Sequence, residues 1–371
     1  MKSITYPSTN VVGAALFAAA IALPASQTAF AEAAPEHGIV SFKYLNYEDR
    51  QPDQDRINVN AYSVMGMTPI AGKWSISTTY TNDSVTGASP EHHSTLSGAS
   101  MKESRQAIDL SVTRYLPKGS VTLGSSYSAE HDYISRGYSA QESISTEDKN
   151  TTFTFGGSYT TDSINPTNDK QSFYDKKSYS GMIGVTQVLT KDDIVQLNLG
   201  YTSGKGYFND PYKLFDQRPD KRESKTFMTR WNHHFDRRDG TTRLSYRYYT
   251  DSFGINAHTF GMEYVQPLPH EWTVTPLFRY YTQTAATFYL PYFPDAGATL
   301  GSYFSLDQRL SAFGATSIGI KVEKKIAKEW LVDARFESYE QRPEWSISGG
   351  GASGILPFYA RSIQLGLSRN F

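Results

Sequence analysis

The chain contains no cysteine among its 371 residues. That absence excludes a disulfide scaffold, cysteine-ligated zinc, an iron–sulfur centre, covalently attached c-type haem, a cysteine nucleophile and an acylated N-terminal cysteine. Net charge is also scarce: Lys+Arg 36 against Asp+Glu 37 leaves a formal charge of -1. A nucleic-acid binder needs a basic footprint, and this composition supplies none. After the first thirty residues there is no long apolar run, and no amphipathic pattern at a 3.6-residue period. Aromatic residues, by contrast, are abundant. Tyr 26, Phe 20 and Trp 5 stand in a chain that is polar on average, with a mean hydropathy of -0.49. Many aromatics among Ser, Thr and Gly suggest strands whose two faces meet different solvents.

Residues 1–31 read as a secretory signal. Lys2 is the only charge before Glu32, Val11–Leu23 is an Ala-rich apolar run, and Ala29-Phe30-Ala31 is an A-x-A cleavage site. A second such site is Ala31-Glu32-Ala33. The apolar run falls short of the ~20 residues of a bilayer-spanning helix, so a membrane anchor is the weaker reading. Residues 32–371 are then expected to form one domain.

That domain alternates with a period of two. In Thr241–Asp251, Thr242, Leu244, Tyr246 and Tyr248 share one face, and Arg243, Ser245, Arg247, Tyr249 and Asp251 share the other. A strand turns successive side chains to opposite sides, so one face is apolar and the other charged. Trp272–Gln283 and Trp330–Gln341 repeat the pattern.

Two classes of connection separate the alternating segments. Short ones are Thr68–Gly72, Pro117–Gly119, Thr146–Asn150, Thr190–Asp193, Asp236–Gly240, Pro267–Glu271 and Ala327–Glu329. Longer polar ones are Gln51–Gln54, Ser84–Glu103, Asp162–Asp175, Gly204–Arg222, Ala285–Gln308 and Arg342–Pro357, with tight joints near Asp132 and Phe253–Gly254. The two classes alternate along the chain. The expectation is an all-β fold: a closed antiparallel transmembrane β-barrel of about sixteen strands, with short periplasmic turns and long extracellular loops. Tyr133–Ser145 alternates poorly; if it were a loop, the count would fall to about fourteen.

Trp74, Trp272 and Trp330 each follow a short turn and Trp231 precedes one, so four of the five tryptophans are expected at one membrane interface. The final residue, Phe371, follows Ile363, Leu365 and Leu367 at alternate positions. This pattern resembles the C-terminal signal read by the barrel-assembly machinery. Arg369 interrupts it and is expected to snorkel.

Seven stretches carry a family resemblance: Arg230-Trp-Asn-His-His-Phe235, Leu244-Ser-Tyr-Arg-Tyr-Tyr249, Asp251-Ser-Phe-Gly254, Thr273-Val-Thr-Pro276, Asp307-Gln-Arg-Leu-Ser-Ala-Phe313, Tyr339-Glu-Gln-Arg342 and Asp83-Ser-Val-Thr-Gly-Ala-Ser89. Together they resemble the bacterial family called domain of unknown function 3570, over most of the mature chain. The resemblance implies a Gram-negative outer-membrane barrel and a link to extracytoplasmic redox or flavin proteins. It implies no catalytic residues.

By parity, Arg230, Arg243, Arg247, Asp251, Glu263, Arg279, Lys321, Glu323, Asp333, Arg335 and Glu337 fall on the lumen face. They can be read as a constriction with a transverse field, or as a cross-linked plug of Arg–carboxylate bridges. No cofactor or metal site is expected. His92-His93 belong to a long outer loop, and adjacent residues on an extended chain point apart rather than converge on a metal. His233-His234, beside Trp231 and Phe235, suit an interface. No spacing singles out a nucleophile–base pair, so an outer-loop hydrolase ranks last. Aromatics crowd Gly204–Arg222 and Ala285–Gln308. They fit strands continuing past the membrane with rings packed between neighbours, or a loop folded into the barrel or offered to a partner. The first of these is favoured. Expected partners are outer-membrane lipid, the assembly machinery and a periplasmic or surface protein. The functions carried forward are a porin-like conduit for small solutes or a housing for an exported partner, and a closed-lumen, partner-binding scaffold.

Overall fold

The alternation closes into a ring. The computed structural model describes residues 33–52, 54–87, 101–168, 171–213, 215–295, 299–347 and 351–371. The leader assigned to 1–31 and the pair His92-His93 lie outside them. The strands are β1 (Ile39–Gln51), β2 (Gln54–Ile70), β3 (Trp74–Gly87), β4 (Met101–Leu116), β5 (Gly119–Ala129) and β6 (Tyr133–Ser145). They continue with β7 (Thr151–Ile164), β8 (Tyr174–Val188), β9 (Asp193–Gly206), β10 (Asp216–Gln217), β11 (Lys221–Phe235) and β12 (Gly240–Asp251). The last six are β13 (Asn256–Leu268), β14 (Trp272–Gln283), β15 (Phe304–Ser305), β16 (Phe313–Ala327), β17 (Trp330–Arg342) and β18 (Phe358–Asn370). All but β10 and β15 form one closed antiparallel barrel of sixteen strands. β1 pairs with β18 to seal it, and Gly38 and Phe371 exchange two backbone hydrogen bonds of 2.9 Å at the seam. Closure leaves no open edge.

Tyr133–Ser145 is a strand, bonded to β5 and β7 along its whole length. The short connections all lie at one end, together with the two ends of the seam. Several of their residues take a left-handed backbone: Ala71, Gly72, Lys149, Asp239, His270 and Glu271. Positive φ is what tight hairpin turns require. The opposite end carries the long connections and three tight joints, since β1 ends at Gln51 and β2 begins at Gln54, β5 and β6 are joined through 130–132, and β12 and β13 through 252–255. Gln51–Gln54, expected among the longer segments, is one of the three.

One face of the ring is an apolar belt. Leu123, Ile183 and Ile318 are 59%, 53% and 62% exposed, on the convex side where a hydrocarbon solvent would meet them. Trp74, Trp231, Trp272 and Trp330 are all exposed at the turn end. Arg114, Lys324 and Arg369 lie over the rings of Trp74, Trp272 and Trp330 at 4.7, 4.9 and 5.4 Å. Arg369 therefore shares the outer face of β18 with its apolar alternates, held between an indole and Glu329 at 3.2 Å.

Candidate functional site

The inner face of the barrel is not uniform around the ring. From β3 to β7 it presents small hydroxyls and glycine: Ser77, Thr79, Ser111, Gly124, Ser126, Gly137, Ser139, Ser158 and Thr160 line a hollow of about 280 Å³ with Asp109. Half the ring away, β11 to β17 carry the charges. The sequence alternation puts all eleven predicted lumen residues on the face opposite the exposed apolar belt. Arg243 and Glu263 are register partners with an ion pair of 3.6 Å. Lys321 binds Glu323 at 2.7 Å, and Arg335 donates from Nε to Glu337 at 3.0 Å, each pair running along its own strand. Asp251 accepts from Arg222 Nε at 2.9 Å. Asp333 is buried and is the register partner of Glu323.

Three cations remain without an ion pair among the described residues: Arg230, Arg247 and Arg279. Arg279 donates to Ser317 at 3.1 Å, Arg247 lies over the Tyr249 ring at 5.6 Å, and Arg230 Nε is buried with no hydrogen-bond partner. Arg230, Ser245, Gly261, Arg279 and Ser317 form one register row across β11 to β16. A side chain at Gly261 would place its Cβ 2.6 Å from Ser245 Oγ. The small residues thus keep the space between Arg230 and Arg279 clear.

Sequence parity applied to the C-terminal half overlooked an acidic counterpart at the loop end of the N-terminal half. Asp83 binds Arg105 at 2.8 Å, and Asp162 binds Lys176 at 3.0 Å. Asp109, Glu130 and Asp132 complete the group. The signal was present: Asp83, Arg105 and Asp109 alternate with Tyr80 and Ile108 on the same strands. Burial pushes the Glu130 carboxyl up to about 7, with Asp132 and Asp83 adding to it against Arg105.

The mouth at the loop end is spanned by interlocking connections. Segment 207–220 pairs with 284–312 through β10 and β15. Arg218 bridges Asp216 at 2.9 Å and Asp307 at 2.7 Å, and Arg309 reaches Asp210 at 2.6 Å. Below them Phe253, Ile255, Ala286, Phe288 and Leu310 form a buried cluster against Phe208 and the lumen-facing Tyr249. On the other side, Tyr212 donates to Asp132 and Asn168 donates to the Pro211 carbonyl at 2.7 Å. Phe208, Phe253 and Phe288 pack loop against loop in the roof of the barrel, while Tyr207 stacks on Tyr174 across the neighbouring ends of β9 and β8, so both expected arrangements of the loop aromatics occur. Residues far apart in sequence make these contacts, so alternation could not show them. At the turn end, His233 Nδ1 lies 2.8 Å from Asp193 and its ring packs between Trp231 and Phe235.

The family described as "Protein of unknown function (DUF3570)" matches residues 13–100, 94–176 and 169–362. No curated protein matches the chain. Among solved structures, a bacterial polysaccharide outer membrane secretin is similar with a TM-score of 0.52 at 8% identity, over 90% of this chain and 98% of that one. The CymD monoaromatic hydrocarbon channel has a TM-score of 0.49 at 9% identity, over 95% and 92%. The siderophore receptor PirA from Pseudomonas aeruginosa has 0.46 at 10%, over 91% and 81%. The first of these likenesses agrees with the closed barrel fold.

Proposed function

The chain belongs to the DUF3570 family, and from that premise we propose that it is a Gram-negative outer-membrane barrel acting as a porin-like conduit for small solutes. It reaches that membrane through the leader in residues 1–31. Its turns face the periplasm and its loops face outward. Sixteen strands give a ring wide enough for an aqueous path. The observation that carries the reading is the set of unpaired arginines, Arg230, Arg247 and Arg279, set half the ring away from a wall of small hydroxyls. A braced plug would neutralise its cations; these stand ready for solute anions. Charge rows of this kind set the selectivity of a pore.

Planar-bilayer recording of the heat-modifiable, detergent-purified protein tests it. Reproducible steps with anion preference are the expected result; silence from a folded barrel removes the conduit.

A second reading has its own observation. The roof of segments 207–220 and 284–312 favours a closed-lumen scaffold that binds a partner, or houses an exported one, such as an extracytoplasmic redox or flavin protein. Co-purification of that partner with a silent barrel is its test.

A further inference from the structure

One arc of the loop-end rim carries a row of cations on the outer face of the ring. Across β6, β7, β8, β9 and β11 the register sets Arg136, Thr161, Lys177, Lys205 and Lys221 side by side. Each shares its strand face with exposed apolar neighbours such as Tyr138, Tyr179, Tyr201 and Leu199. All four cations are exposed near the loop end. Lys177 stands opposite Lys205, and Lys205 opposite Lys221. Like charges directly opposed on neighbouring strands repel. Among the described residues only Lys221 has a carboxylate partner, Glu223 at 2.6 Å. Arg136 lies over the Tyr127 ring at 5.7 Å, and Lys177 and Lys205 make no ion pair. Asp175, two residues further along β8, shares this rim without bonding to either.

Toward the turn end the wall is hollowed. Ala140, Gly157 and Gly181 form one register row, flanked by Tyr138, Tyr159 and Tyr179 above and by Phe155 and Ile183 below. The missing side chains leave a groove of about 1030 Å³, bordered by Leu199, Tyr201, Phe227 and Tyr248, with Lys225 at its upper edge and Glu142 at its lower one. A Cβ built on Gly181 meets nothing within 4 Å. The basic row lies two register rows from the groove floor, roughly 13 Å along the strands, and lysine stems span part of that distance.

Bulk lipid would cover any apolar wall. A groove directly beneath uncompensated cations asks for one molecule that carries both an acyl chain and a negatively charged head. We propose that this face is a binding site for a phosphorylated, multiply acylated lipid of the outer leaflet. Its phosphates rest on Arg136, Lys177 and Lys205, and one acyl chain lies over Gly157 and Gly181. The proposal rests on the outer-membrane reading above.

The test uses the folded, heat-modifiable protein in detergent with diphosphoryl lipid A, the dephosphorylated form, or inorganic phosphate, and reads bound lipid by native mass spectrometry. The diphosphoryl form is expected to be retained and not displaced by inorganic phosphate. Lys177→Gln with Lys205→Gln is expected to lower retention roughly thirtyfold, since each of the two basic residues near an anionic surface contributes ~1 kcal/mol. Gly181→Leu, whose Cβ enters open space and whose side chain occupies the groove, is expected to lower it too. Equal retention of both lipid forms, undiminished retention by the double variant, or displacement by phosphate alone overturns the site. If such a result comes from a barrel that sediments with the outer membrane, the site alone falls. If the protein does not sediment there, the reading beneath it falls as well.

Discussion

Arg218 and Asp307 meet at 2.7 Å, Nη2 to Oδ2, although 89 residues of chain separate them. Their side chains are 11% and 1% exposed. Burial pushes the Asp307 carboxyl up, but Arg309, Lys213 and Arg218 outweigh it and hold the group below the usual carboxylate range. A depressed folded value stabilises above the ordinary carboxylate pKa and is lost only as pH falls through the lowered one, so the roof should survive mild acid. Asp307→Asn leaves Arg218 and Arg309 short of a buried counter-charge and should cost the roof about 3 kcal/mol. Pulse proteolysis within 207–220 and 284–295 should show the loss; unchanged cleavage would remove the ion network as what holds these loops together.

Neutralising the unpaired lumen cations should change what passes. Arg247→Gln and Arg279→Gln are each expected to lower the anion-to-cation permeability ratio by about fivefold, the equivalent of ~1 kcal/mol for a unit charge 4 Å away in water. Reversal potentials under a salt gradient measure it. An unchanged ratio would take these side chains out of the solute path.

Glu130 should make the joint between β5 and β6 pH-sensitive. Its folded carboxyl titrates near about 7, above the ordinary 4.5, chiefly because burial disfavours the charge. Its stabilising contribution is therefore complete below the ordinary value and disappears as pH rises through about 7. Exchange of the Glu130 amide, bonded to the Tyr133 carbonyl at 2.8 Å, should quicken over that window. Glu130→Gln should flatten the dependence; a variant that keeps it would show another group at work.

Gly314 sits where a Cβ would come within 2.0 Å of the Trp345 carbonyl oxygen. The turn Pro343–Trp345 is pressed against β16 there, and Tyr280 donates its hydroxyl to the same carbonyl. Gly314→Ala should cost ~1–3 kcal/mol by overpacking and shift the Trp345 fluorescence. A variant with wild-type melting and emission would contradict this packing.

Alternation along the chain made the barrel legible, including its strand number and the end that holds Trp74, Trp231, Trp272 and Trp330. A two-residue period is imposed locally, by one wet face and one apolar face, and needs no long-range information. The same logic explains why Tyr133–Ser145 reads poorly. Its outer face holds Arg136, Ala140 and Glu142 beside Tyr138 and Ile144, so polarity does not separate the two sides. The basic rim and the hollow beneath it blur the pattern there. The charges of β12 to β17 could be assigned to a face from parity, but not their partners. Lys321 turns to Glu323 along its strand rather than across to the neighbouring strand, a rotamer choice that spacing does not dictate. The roof was out of reach because its contacts join segments a hundred residues apart, such as Asp210 and Arg309.

The hydrogen bonds between Gly38 and Phe371 have a temporal meaning. Every strand but two can find a neighbour as soon as the adjacent hairpin exists; β1 must wait for β18. Until that meeting the sheet is a ribbon with two raw borders, each able to recruit a stranger. The thirteen residues of β18 cover the border of β1 and give up their own in the same step.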